Sequence, residues 1–362
     1  MAVYLLLYSL IALFGVYTFY NRNRPDKCYV WGIVLMTAAV TALIAMRHPS
    51  MGIDLQYGTT GGYLGSYEKI AELSLRELLS LKGWQNYEWG YIFLNKLLSG
   101  ISRNEQVLLA ACAMLSILPV GLLIGLYSRD YCFSMLIYLG LPCFLVTFSG
   151  LRQGIAIGIC CLSIPFVKRK KWILFLLIVF LAWLFHSSSI LFLVVYPLYH
   201  LKLKKWQRLL GVPALVPFYL FRYRLFDLAM KLLGWTDKPD YNNSYRLLLG
   251  FVLVYLFCVV FWNKEDEESG AFLNLFYLAC VVQCFGGVYS IAMRFGYFFM
   301  IPLVIALPNI VDGLRNKRYY ALFRFGICGA FLLFGLYSIY NGAWAQSYPY
   351  HFFWQTVPVT GA

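Results

Sequence analysis

Charged residues are what this sequence has least of, and their scarcity excludes the water-soluble classes first. Asp, Glu, Lys and Arg make up only 13% of the 362 residues and hydrophobic types 61%, against roughly a quarter and a half in soluble domains. The longest polar stretches, 47–105 and 222–245, are too short or too broken by apolar residues for a second, water-exposed core. The ten cysteines form no CxxC pair and stand in no Cys/His spacing of a zinc site, so neither a disulfide framework nor a metal is implied. A P-loop, a dinucleotide-binding glycine fingerprint, a Gly-x-Ser-x-Gly elbow and an HExxH pair are also missing. Any chemistry therefore draws on an activated donor rather than a nucleotide, and no cofactor is expected.

What is abundant is apolar sequence in runs long enough to cross a hydrocarbon core of roughly 30 Å as helices, the plausible spanning structure where no water can bond the backbone. The fold expected is an all-α polytopic membrane protein, a single integral membrane domain over 1–362. About twelve helices are expected, at 3–20, 28–46, 106–127, 131–148, 150–167, 172–186, 187–201, 206–221, 245–262, 270–286, 291–310 and 320–340. The segment 187–201 begins in three serines and reads as a broken or re-entrant helix. The first run has no basic residue before it and no small-residue cleavage site after it, so it reads as a retained helix. Much of the net charge of +14 lies in short clusters flanking the runs, at residues 22–27, 129, 168–171, 202–208, 264 and 315–318. These mark cytoplasmic connections rather than a nucleic-acid surface. The segments 47–105, 222–244 and 341–362 then lie outside, the first carrying an amphipathic helix over 67–81 and a second stretch at 89–101 that dips partly into the membrane. No repeat of 20–50 residues and no symmetry between halves is found, which disfavours an inverted-repeat transporter.

On this topology the unusual polar residues collect at outer ends. One such cation is also a cheap interface anchor, because long side chains snorkel; their shared face is what points to a site. Ser149-Gly150-Leu151-Arg152-Gln153-Gly154 interrupts two apolar runs with a guanidinium suited to phosphate or pyrophosphate oxygens, or equally to lipid headgroups. In Phe185-His186-Ser187-Ser188-Ser189 a neutral imidazole would accept a proton from a sugar hydroxyl, or would pack helices. Between Arg47 and Tyr57, Asp54 would orient Arg47, act as a base, or form a surface ion pair with it. Tyr87-Glu88-Trp89-Gly90-Tyr91 sets a carboxylate among rings, near Tyr57, Tyr63, Tyr67 and Trp84. Most of those rings read as an interfacial belt, although a sugar would also suit them. Tyr289 to Tyr297 brings Arg294 to the same side. The candidates are therefore His186, Asp54 and Glu88 for catalysis; Arg152, Arg47 and Arg294 for a pyrophosphate; and Tyr57, Tyr91, Gln153 and Tyr289 for a glycan.

Taken in order, these motifs resemble the EpsG family of exopolysaccharide proteins, related to the Wzy-type polymerases. The matching features are Arg47 with Gly52, Asp54 and Tyr57; Glu88 with Gly90 and Tyr91; Ser149 with Arg152 and Gln153; His186 with Ser188; Arg294 with Phe295 and Tyr297; and Tyr348-Pro349-Tyr350. Ser189 departs from the alanine the family favours. The resemblance implies a glycosyltransferase that joins undecaprenyl-pyrophosphate-linked donor and acceptor units at the outer face of a bacterial plasma membrane. It is compatible with a chain-length-regulating partner, and needs no metal if arginines neutralise the pyrophosphate. A lipid-linked oligosaccharide flippase, an O-antigen-ligase-like transferase, a membrane acyltransferase and a structural subunit remain the alternative readings.

Overall fold

One of the long apolar runs is divided at Gly140-Leu141-Pro142 into two helices. The computed structural model describes residues 1–20, 27–80, 87–233, 245–288 and 290–357. The chain divides into two compact units: Met1–Tyr127, Tyr131–Leu193 and Ile327–Ala362 form the first, Ser128–Asp130 and Val194–Gly326 the second.

The first unit contains α1 (Ala2–Tyr20), α2 (Lys27–Ala45), α3 (Gly62–Glu72), α4 (Leu75–Ser80), α5 (Trp89–Ile101), α6 (Glu105–Tyr127), α7 (Tyr131–Gly140), α8 (Pro142–Ser149), α9 (Leu151–Lys168) and α10 (Trp172–Trp183), followed by a 3-10 segment, Ser187–Val194. Its centre is the packing of α6 against α2 and α9. Small residues permit it: a Cβ on Gly158 would lie 2.3 Å from the Leu115 carbonyl oxygen, and one on Gly121 2.3 Å from Thr37. Lipid offers helices no hydrophobic reward for associating, so this closeness of backbones supplies the van der Waals contact that holds them.

The single helix expected over 131–148 is instead two, bent by 62°. The residue before a proline is driven from the helical region, and Leu141, between Gly140 and Pro142, is extended at φ −93°, ψ 148°. The helix expected over 67–81 is likewise two: Leu73 is extended, and Ser74 and Glu77 form a reciprocal cap in which Ser74 N–H donates to Glu77 Oε2 (2.7 Å) and Glu77 N–H to Ser74 Oγ (3.2 Å). Residue 81 of that expectation lies outside the described residues.

The second unit contains α11 (Val195–Tyr199), α12 (Lys205–Leu220), α13 (Arg222–Leu233), α14 (Tyr245–Phe261), α15 (Glu267–Gln283), α16 (Ser290–Asp312) and the start of α17 (Tyr320–Asn341), whose remainder belongs to the first unit. The expected loop 222–244 begins with helix α13, bent by 70° from α12; residues 234–244 lie outside the described set. A buried pair, Arg324 Nε to Asp130 Oδ2 at 2.7 Å, and the bridge Arg129–Asp266 at 2.8 Å hold the 128–130 link onto this unit. Among the described residues, five helices are long and apolar enough to span a membrane, and up to seven spans result if each bent pair is one. The chain is a multi-pass membrane protein.

Substituting Gly158 by Leu should force α9 away from α6 and cost about 1–3 kcal/mol. The check is a lowered melting temperature of the detergent-solubilised protein, with Gly326→Leu, which meets nothing within 4 Å, as the neutral control.

Candidate functional site

Glu88, Arg152 and His186 are far apart in sequence, and local backbone requirements bring them together in the first unit. Gly90, in the first turn of α5, donates its N–H to the Leu184 carbonyl just beyond α10 at 2.7 Å. A Cβ there would stand 2.6 Å from that oxygen, so the two helix ends meet only because residue 90 is glycine. Glu88, at the N-cap position of α5, is thereby carried to the break between α10 and the 3-10 segment, where His186 sits. Arg152 arrives from the first turn of α9, after the turn at Gly150.

The Glu88 carboxylate joins all three elements. Its Oε2 pairs with Arg152 Nη1, and its Oε1 accepts the Ser187 N–H at 2.8 Å. His186 Nδ1 stands 3.5 Å from the same Oε1, at ion-pair distance once the ring is protonated, but without the alignment of a formed hydrogen bond. Burial would raise the Glu88 carboxyl above its ordinary 4.5; the facing His186 ring, the Arg152 charge and the Ser187 N–H outweigh it and hold the group at about 2. Arg152 also donates Nε–H to the Tyr63 hydroxyl at 3.2 Å, and its guanidinium carbon lies 4.6 Å from the Tyr87 ring centre. Tyr63 and Tyr87 stack at 5.5 Å, and Tyr91 sets its edge against both. The side chains of Arg152 and Glu88 are each 18% exposed and that of His186 20%, enough for a ligand to reach them.

Asp54 lies on a short 3-10 turn, half-buried, with its N–H donated to Ser149 Oγ at 3.2 Å. Arg47 is fully buried, and its donors go to the carbonyls of Ile44 (2.8 Å), Phe148 (3.2 Å) and Met51 (3.3 Å) rather than to Asp54. The Arg47–Asp54 pairing weighed from sequence is not formed. Tyr57 packs edge-on against His48, Tyr91 is fully buried, and Gln153 is buried in the first turn of α9. Arg294 is an exposed residue of α16 in the second unit, and Tyr289 lies outside the described residues. Sequence reasoning passed over Tyr63 and Tyr87 as interfacial belt, and had no means of finding the Ser187 N–H. The available signal was Gly90, two residues after the carboxylate. Among the described residues no group of His, Cys, Asp and Glu is placed to hold a metal ion.

Because the folded state depresses the Glu88 carboxyl, the stability it contributes is complete above about pH 4.5 and is lost as pH falls toward about 2. Glu88→Gln should be less stable than wild type at pH 7 by on the order of 2 kcal/mol, and the gap should narrow between pH 4.5 and 3. Thermal unfolding in detergent across that range is the check.

A model described as the EpsG family matches residues 30–352, a stretch that holds Arg152, Glu88, His186 and Asp54. Comparison with curated proteins and with solved structures gives no match. The match takes in nearly the whole chain, and the protein belongs to the EpsG family, which is related to the Wzy-type polysaccharide polymerases.

Proposed function

We propose that this chain is a polysaccharide polymerase that transfers an undecaprenyl-pyrophosphate-linked glycan onto a second lipid-linked repeat unit at the outer face of a bacterial plasma membrane. The observation that carries the reading is the meeting of Arg152, Glu88 and His186 beside stacked tyrosines, within a membrane protein whose family supports an exopolysaccharide polymerase-type role. In this reading the spans are the five long helices, the two bent pairs, the shorter apolar helices Val30–Ala45, Trp172–Trp183, Ser187–Tyr199 and Tyr245–Phe261, and α15. That is the twelve-span arrangement, with α3 to α5 outside and the basic connections inside.

The roles follow from what each group has left to offer. Glu88, held at about 2 and engaged through both oxygens, is a poor base and a good anchor for the imidazole. With Nδ1 turned toward Glu88, His186 offers Nε2 to the proton of an acceptor hydroxyl. The hydroxyl oxygen bonds to the donor's anomeric carbon as the bond from that carbon to the pyrophosphate oxygen breaks. Arg152 stabilises the negative charge that grows on the departing pyrophosphate. The products are a longer glycan on one carrier and undecaprenyl pyrophosphate.

Purified protein incubated with undecaprenyl-pyrophosphate-linked repeat units should give a ladder of glycans. Arg152→Ala and His186→Ala, folded and at equal amount, should each slow ladder formation by about a hundredfold or more. A full ladder from both variants would remove them from the chemistry. Lipid-linked sugar crossing proteoliposome membranes, with no ladder, would make the protein a flippase instead.

A further inference from the structure

Glu88 and Arg152 neutralise one another, whereas the carboxylate-bearing Asp54 is engaged, among the described residues, through its backbone alone. Among the described residues its N–H donates to Ser149 Oγ, and no hydrogen bond or ion pair involves its carboxylate oxygens. The turn that carries it is braced on every side. Gly52, at φ +128°, lies so close to α8 that a Cβ would come within 2.1 Å of the Phe148 carbonyl oxygen. The non-glycine Gln56 is held at φ +52°, and a Cβ on Gly62 would stand 2.7 Å from the Asp54 carbonyl oxygen. Arg47 ties the Met51 and Phe148 carbonyls together from below. Backbone held in the left-handed region at a non-glycine residue persists only where the surroundings impose it, and such strain gathers at functional positions.

The turn adjoins elements of the site already described. Tyr63 follows Gly62 and receives the Arg152 Nε–H. Ser149, which fixes Asp54, stands three residues before Arg152, so one polar break between α8 and α9 sets both groups. Burial pushes the Tyr63 hydroxyl up to about 12, against the lowering by Arg152, and the Asp54 charge adds to the rise. A carboxylate accepts hydrogen bonds and donates none. It repels a pyrophosphate and suits the hydroxyls of a sugar.

We propose that Asp54 is the acceptor-side residue of the site: its carboxylate binds hydroxyls of the incoming sugar, and Ser149 is the positioning residue that holds it there, opposite the pyrophosphate held by Arg152. The inference rests on the polymerase reading and assigns the two substrates to separate residues. The reacting ends of donor and acceptor are then distinguished by charge, the donor's pyrophosphate going to the guanidinium and the acceptor's sugar hydroxyls to the carboxylate.

The test uses the full-length protein in detergent with two substrates. The donor is the undecaprenyl-pyrophosphate-linked repeat unit from the polymer-producing cells. The acceptor is the same unit freed from its lipid by mild acid and labelled at its reducing end by reductive amination, so that it accepts but cannot donate. Asp54→Asn should raise the acceptor KM by about tenfold or more, while the donor KM changes by less than about twofold. Ser149→Ala, which keeps the carboxylate, should raise the acceptor KM by a smaller factor. An unchanged acceptor KM in Asp54→Asn, or an equal rise for both substrates, overturns the assignment. If Asp54→Asn does not fold, Ser149→Ala decides by the same criterion. A wild type that elongates lipid-linked units yet never the freed one also overturns it, because recognition would then rest on the lipid. A wild type that makes no ladder from lipid-linked units fails the polymerase reading itself.

Discussion

The first unit depends on one carboxylate. Glu88 starts α5, pairs with Arg152 at the start of α9, and accepts the Ser187 N–H after α10. Three chain segments separated by tens of residues are thus joined at a single side chain. An arginine beside a membrane interior needs a partner or access to water, and a carboxylate in a half-buried setting needs donors. Each supplies the other, so the pair is self-sufficient and carries little net charge.

Close backbone approach is the second constraint, and it serves the first. Gly90 lets α5 touch the end of α10, Gly158 lets α9 lie on α6, and Gly52 lets the Asp54 turn rest on α8. None of these glycines offers a functional group. Each removes a side chain from the place where a neighbouring backbone must pass, and beside two of them Asp54 and Glu88 are positioned as a result.

Much of this was legible in the sequence, and the failures have physical causes. Hydropathy located the apolar runs, and the motifs around Glu88, Arg152 and His186 were picked out because a charge or an imidazole interrupts them. The splitting of 131–148 was also written there, in Gly140-Leu141-Pro142, as was that of 67–81, in the Ser74 to Glu77 capping pattern; both were overridden by the length of the surrounding apolar pattern. Arg47 and Arg152 could not be told apart, since both follow apolar runs on the expected outer side. What separates them is tertiary: the Phe148 carbonyl, a hundred residues away in the chain, absorbs a donor of Arg47, while Glu88 and Tyr63 receive those of Arg152. Tyr63 and Tyr87 were given to the interfacial belt because composition makes that assignment equally good, and only their stacking beside the guanidinium distinguishes them.

The segment after α17 lies back along the beginning of the chain. The Tyr4 hydroxyl donates to the Ser347 carbonyl, the Tyr350 hydroxyl to the Leu43 carbonyl at 2.7 Å, His48 N–H to the His351 carbonyl at 2.8 Å and Phe353 N–H to the Met46 carbonyl at 2.9 Å. The support beneath Arg47 is therefore made from residues near both ends of the chain. During synthesis α1, α2 and the Asp54 turn are made hundreds of residues ahead of the segment that completes them. Until residues 347–353 have been made, the nascent protein holds Arg47 and its neighbours without the clasp that fixes their arrangement, so their final packing is a late, post-insertion event.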